Sequence, residues 1–385
     1  MKFLLSIMAL FMSLFINAQT SAFHNYGNIK MHENASVGFH TDFINDGVLD
    51  DNNKGLAGFY SDSEIRTVSG NNRAVFENLE FDAINDIELY SSLGTTGEMS
   101  FINGKVFTPR NEPNVSLDYI NHQFYIGEDD SRHVDGYSSV FGTNEFVFPI
   151  GDDNRLRPMI LPSQTNNNEY SGAYYFYNPN TPPTHFTESF STSQKQIFIS
   201  NISNLEFWDL DGASETKITL TWDPKSDINA ISNNINLLRV VGWSKTESKW
   251  IDLGRTSSSG DLNSGRIMSN SFIPDEYTVI TIGSEFAAGE LADINLIFTP
   301  NGDSENETLT FEGLEQYKNN NLSIFNRWGN VVYETENYKN DWKGKSNGRV
   351  TVNKDQDLPD GTYFYLLKLG SDESKSQKGW IYIHR

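Results

Sequence analysis

Short alternations of apolar and polar residues, closed by Gly, Pro or Asn-Gly, recur along almost the whole chain. A period of two marks half-buried β-strands, so the pattern predicts an all-β protein. Residues 1–18 depart from it. Lys2 precedes an apolar run from Phe3 to Ile16, and Asn17-Ala18 stands before Gln19. A cation, a short apolar stretch and a small residue at its end predict a secretory signal peptide. The other reading is an uncleaved anchor, for which the run is short.

Residues 19–177 form a first β-rich region. Within 19–110, Phe23-His24-Asn25-Tyr26-Gly27-Asn28-Ile29 matches Phe43-Ile44-Asn45-Asp46-Gly47-Val48-Leu49 as Phe-x-Asn-x-Gly-x-Ile/Leu, with weaker echoes at Phe76-Glu77-Asn78-Leu79 and Phe101-Ile102-Asn103-Gly104. A period near twenty predicts stacked rungs, a strand ladder or β-helix-like region; the alternative is a β-sandwich with look-alike hairpins. Asn and Gly at the corners would supply positive φ. Farther on, Phe146-Val147-Phe148-Pro149 and Arg157-Pro158-Met159-Ile160 predict an edge strand and a return strand about a Gly151-Asp152 turn.

A polar, Pro-bearing stretch at 178–187 leads to 188–284, where runs such as Lys217–Trp222, Leu237–Trp243 and Tyr277–Ile282 predict a second β-sandwich module. Trp208, Trp222, Trp243 and Trp250 either fill its core or line a sugar-stacking face. Their aliphatic neighbours favour the core. Ser284 to Leu291 reads as a linker.

The last hundred residues carry the most distinctive pattern. Two alternating runs, Leu322–Phe325 and Val331–Tyr333, flank the polar turn Asn326-Arg327-Trp328-Gly329, which predicts a β-hairpin. Upstream is Phe298-Thr299-Pro300-Asn301-Gly302-Asp303. Downstream come Tyr338-x3-Trp342-x-Gly344, then Pro359-Asp360-Gly361-Thr362-Tyr363-Phe364-Tyr365, and finally Gly379-Trp380-Ile381-Tyr382-Ile383-His384-Arg385.

Taken together and in this order, these motifs resemble the gliding motility-associated C-terminal domain family, the type B sorting domain of type IX secretion, over about residues 290–385. The matching positions are Phe298, Pro300, Asn301, Gly302, Asp303, Asn326, Arg327, Trp328, Gly329, Trp342, Gly344, Pro359, Gly361, Thr362, Tyr363, Tyr365, Gly379 and Arg385. Ser304 stands where the family usually has a second Gly, and Asn306-Glu307 where it has Asn-Asp. The resemblance implies a small C-terminal β-sandwich that acts as an export signal. It further implies the type IX translocon and a gliding-associated outer-membrane protein as partners, and secretion across the outer membrane to the cell surface or medium. A terminal strand ending Ile383-His384-Arg385 would offer an edge for β-augmentation.

Composition narrows the classes. The formal net charge is −22; residues 290–385 hold 11 Lys+Arg against 15 Asp+Glu, or −4, so −18 lies upstream. Such a surface repels nucleic acid and anionic lipid, and it keeps an exported β protein soluble. With no Cys, disulfides, thiol catalysis and Cys-based zinc sites are excluded.

Catalytic signatures are sparse. The seven His (24, 32, 40, 122, 133, 185, 384) form no His-Glu-x-x-His, and no nucleophile elbow is present. Two stretches offer oxygen ligands for Ca²⁺: the loop of Asp129, Asp130 and Asp135 around His133, and Asn301-x-Asp303-x-Glu305-x-Glu307. The ordinary reading of both is a solvated acidic loop, and no cofactor is expected. The chain therefore reads as a non-enzymatic secreted or surface protein, acting in adhesion or as an accessory of a gliding or surface-adhesin assembly, with a surface polysaccharide or adhesin as partner. The alternative is an exported carbohydrate-binding or polysaccharide-active protein, which exposed coplanar rings or facing carboxylates would favour.

Overall fold

The computed structural model describes residues 22–196, 198–286, 296–303, 306–311, 314, 317, 319–347, 356–369 and 376–385. The expected signal peptide, Glu305 and most of the expected linker lie outside them. Nearly all regular structure is strand, in agreement with the all-β expectation. The chain divides into two compact units, one reaching to Tyr175 and including Trp208–Thr216, the other taking Phe176–Phe207 and Lys217–Arg385.

The first unit is built on a solenoid of three parallel ladders. One ladder stacks Ala22–Asn25, Asp42–Asn45, Arg66–Ser69, Ile87–Leu89, Val106–Phe107, Val134–Asp135 and Ile150–Gly151. The second stacks Ser36–Phe39, Leu56–Ser61, Asn78–Ala83, Glu98–Asn103 and Phe124–Ile126. Ala74–Phe76, Leu93–Thr95, Leu117–Ile120 and Ser138–Gly142 make the third.

The repeat seen in the sequence is this stacking: Phe23 pairs with Phe43 and Asn25 with Asn45. Asn25 donates its amide to Asn45 Oδ1 at 2.7 Å, and Asn45 donates in turn to Asn72 O at 3.0 Å. Both Asn are buried, so each rung satisfies polar groups that would otherwise cost about 1–3 kcal/mol apiece. On the second ladder, alternate residues point inward and build the ring column Phe39–Phe59–Phe81–Phe101, with centroids 5.0, 5.9 and 5.9 Å apart.

Three expectations need correction. Gly47 is not at positive φ; it is required because a Cβ there would lie 2.1 Å from Gly27 O of the rung before. Phe76 and Phe101 are not further copies of the Phe23 position, since they lie on the third and second ladders. The stacking also runs past residue 110, to the pairing of Val134–Asp135 with Ile150–Gly151.

Beyond the rungs the chain reverses. Asn168–Tyr175 runs antiparallel to Ser138–Gly142, and Phe146–Phe148 antiparallel to Met159–Leu161, as the Pro149 and Pro158 pattern predicts. Gly151, expected in the turn between them, instead pairs in the first ladder, and the turn runs from Asp152 to Arg155. A buried polar cluster fixes this end. Arg110 reaches Asp135 at 2.7 Å and Asp152 at 3.4 Å and donates to Tyr174 O at 2.7 Å. Tyr137 donates to Asp209 at 2.6 Å. Charges this deep are tolerated only when paired and hydrogen-bonded.

In the second unit, Trp250–Gly254, Leu238–Ser244 and Tyr277–Glu285 form an antiparallel sheet, with Ile199–Ile202 also paired to Tyr277–Glu285. Thr219–Trp222, Gly265–Met268 and Ser257–Gly260 form a second sheet. Tyr277–Glu285 takes in Ser284, buried and bonded to Ile231 O, so the linker starts later than the sequence suggested. Trp222, Trp243 and Trp250 are buried here, and Trp208 is buried in the first unit against Tyr174. The core reading of these four residues is the correct one.

Candidate functional site

Residues 296–385 fold around one five-stranded sheet in the order Leu296–Phe298, Ser376–Ile383, Gly361–Leu369, Asn320–Phe325, Val331–Glu336. The first strand runs parallel to the last, and all other neighbours are antiparallel. Period-two alternation puts Phe298, Leu322, Ile324, Tyr363, Tyr365, Leu367, Ile381 and Ile383 on one face. That face is covered by non-strand segments carrying Leu309, Phe311, Leu314, Tyr338, Trp342 and Leu358. Among the described residues the second layer is therefore made of these segments; the expected sandwich has no second sheet here.

The motif residues separate into two groups. The larger group holds the fold. Trp342, 3% exposed, lies between Phe298 at 5.5 Å and Tyr333 at 5.1 Å and donates its indole N–H to Lys345 O at 2.7 Å. Gly379 faces Tyr365, whose ring a Cβ would meet at 2.7 Å, and Tyr363 donates to Pro359 O at 3.0 Å. Gly361 opens its strand at φ +150°, beside exposed Thr362. Asn301 and Asp303 close a local turn, Asp303 N–H donating to Asn301 Oδ1 at 3.0 Å and the Asn301 amide to Asp303 at 2.9 Å; Gly302 sits within it at φ +88°.

Arg385 ties three of these segments to the strand that carries it. Its guanidinium donates to Pro300 O at 3.1 Å, Gly344 O at 3.0 Å and Leu358 O at 3.2 Å, and it reaches Asp357 at 3.3 Å. A planar, five-donor fork can serve several acceptors at once, which an ammonium cannot reproduce.

The smaller group faces solvent. Asn326 Oδ1 accepts the Trp328 and Asn330 N–H groups, both at 3.0 Å, and Asn326 O accepts Gly329 N–H at 3.0 Å. Gly329, at φ +80°, then turns the chain into Val331–Glu336, the geometry of a three-residue hairpin with a glycine bulge. The turn holds Trp328 out at 71% exposure, with the Arg327 guanidinium 4.2 Å over its ring. Trp328 thus does not pack the core, and Arg327 lies on a ring, not on a carboxylate.

Sequence reading missed the face beside this hairpin. Trp380, Phe364, Phe325 and Val331 stand in register across four strands, and Ile297 and Tyr382 pair next to them. Phe364 is 46%, Ile297 60% and Tyr382 38% exposed. The signal lay in the unbroken aromatic run Tyr363-Phe364-Tyr365, which puts apolar residues on both faces of one strand.

The expected β-augmentation edge is not where the sequence placed it. Ser376–Ile383 is an interior strand, paired on both sides. The outer strand Val331–Glu336 is capped as well. Asn347 accepts Glu334 N–H at 2.9 Å and donates to Glu334 O at 2.9 Å and Val332 O at 3.0 Å. Such capping is a common protection of sheet edges.

Among the described residues, the acidic side chains of both calcium stretches already accept hydrogen bonds from the protein. Asp129 accepts Ser131 N–H at 2.9 Å and pairs with Arg132, Asp130 accepts Leu156 N–H, and Asp135 holds Arg110. In the other, Asn301 and Asp303 bond each other, and Glu305 lies outside the described residues.

No curated protein and no solved structure gave a match. Residues 292–383 match the family model of the CHU_C type IX secretion signal domain, so the C-terminal sheet is a sorting domain and the chain's route is export by type IX secretion across the outer membrane.

Proposed function

We propose that the protein is a non-enzymatic surface or extracellular protein whose solenoid unit works in adhesion or as an accessory of a gliding or surface-adhesin assembly. The sorting domain is of the gliding motility-associated, type B kind. It is read by the translocon and a gliding-associated outer-membrane partner through Trp328 and the aromatic outer face. The observation that carries this reading is the union, in one chain, of an export-signal domain with a rung-stacked body whose large ring column faces inward. A sugar-stacking platform on Trp208, Trp222, Trp243 or Trp250 has no support, because all four are buried. Rigid solenoids suit display of extended lateral surfaces.

The test compares attachment of cells with and without the protein, then assays the purified full chain against soluble surface polysaccharides. Loss of attachment, restored by re-expression, with no polysaccharide binding or cleavage, is the expected result. Polysaccharide binding or cleavage with unchanged attachment would move the assignment to the carbohydrate-active alternative.

A further inference from the structure

The sorting domain shares a compact unit with the module before it, and one side chain of that module packs against its core. Phe198 packs against the apolar cluster of the sorting domain and meets Tyr317 edge-on, with ring centroids 5.4 Å apart. Both rings are half-buried.

Phe198 is not on a loose loop. Gln196 N–H donates to Trp250 O at 3.0 Å, and Gln196 Oε1 accepts Asp252 N–H at 3.0 Å. Directly after Phe198, the strand Ile199–Ile202 pairs with Tyr277–Glu285. Tyr317 is fixed from its own side. Its N–H donates to Leu314 O at 2.9 Å, and its carbonyl accepts the Asn320 amide at 2.9 Å. Burial, with the charges of Asp252 and Glu285 adding to it and that of Arg239 opposing, pushes the Tyr317 hydroxyl pKa up to about 12. Arg239 itself pairs with Glu285 and approaches Asp252 at 3.8 Å.

We propose that Phe198 and Tyr317 form a latch that seats the sorting domain on the module preceding it, so that folded cargo and export signal travel as one body. Tyr317 packs on the core side of the sorting-domain sheet. The latch therefore leaves the opposite face, with Phe364, Tyr382 and Trp328, open for recognition. The latch stands independently of how the export machinery reads that face.

Because the chain has no Cys, two introduced ones report distance cleanly. Spin labels at Asn263→Cys and Glu336→Cys, both exposed sites, span the latch in the full chain. A single narrow distance distribution is expected in the otherwise unaltered protein. Phe198→Ala and Tyr317→Ala should each shift the seated-to-released ratio by about two- to tenfold, the factor an edge-on aromatic pair supplies. Tyr317→Phe, which keeps the ring, should stay narrow. A broad distribution in the unaltered background overturns the latch without recourse to any variant. So does a seated-to-released ratio unchanged in both alanine variants while circular dichroism shows them folded.

Discussion

Trp328 and Trp342 belong to one domain and have opposite surroundings. Trp342 fills the space between Phe298 and Tyr333, so Trp342→Ala removes a buried indole and should cost about 3–5 kcal/mol. Trp328 touches little besides Arg327, so Trp328→Ala should leave stability within about 0.5 kcal/mol. Thermal unfolding paired with the secreted fraction separates the two. Trp328→Ala should reduce export several-fold at unchanged melting temperature, whereas equal destabilisation by both substitutions would contradict a recognition role for Trp328. Most motif residues were legible because each sits in a local turn or strand pattern. The role of Arg385 was not, since its carbonyl partners lie 27, 41 and 85 residues away and no local spacing encodes them.

Among the elements, the first two rungs could be read because Phe, Asn and Gly recur at the same offsets and each has a stacking or hydrogen-bonding reason to do so. Later rungs were hidden for two reasons. The step lengthens from Phe43 to its partner Val68, and the inward residue changes from Phe to Val. Stacking needs only an apolar inward side chain, so identity drifts while register persists. The corner after Leu117–Ile120 gives a pH prediction. There His122 lies against Tyr119 at 5.2 Å and Phe146 at 5.0 Å, and burial pulls its pKa from the usual 6.5 down to about 4. A depressed folded pKa means that the neutral ring is favoured in the fold. Its contribution is full above about 6.5 and is lost as pH falls toward 4. His122→Phe should therefore flatten the drop in melting temperature between pH 7 and 4 relative to the unaltered protein. An unchanged slope would show that the ring is hydrated and titrates normally.

At the scale of the molecule, charge and signal divide between regions. The sorting region carries −4 of the −22, so the body before it is the strongly acidic part, suited to solubility after export. The β class and the C-terminal signal were legible because repeated short patterns encode them. The working role of the body was not, since a solenoid directs its most informative side chains inward, where they serve stacking, and leaves a varied outer surface. The central claim is that residues 290–385 carry the export signal. Its most direct test is the location of the full-length protein and of a version ending at Gly289, in cells with and without a working type IX system. The account predicts full-length protein at the surface or in the medium only when the system works, with the truncation held in the periplasm. Equal export of the truncation would contradict it and would return the C-terminal sheet to the working surface of the protein.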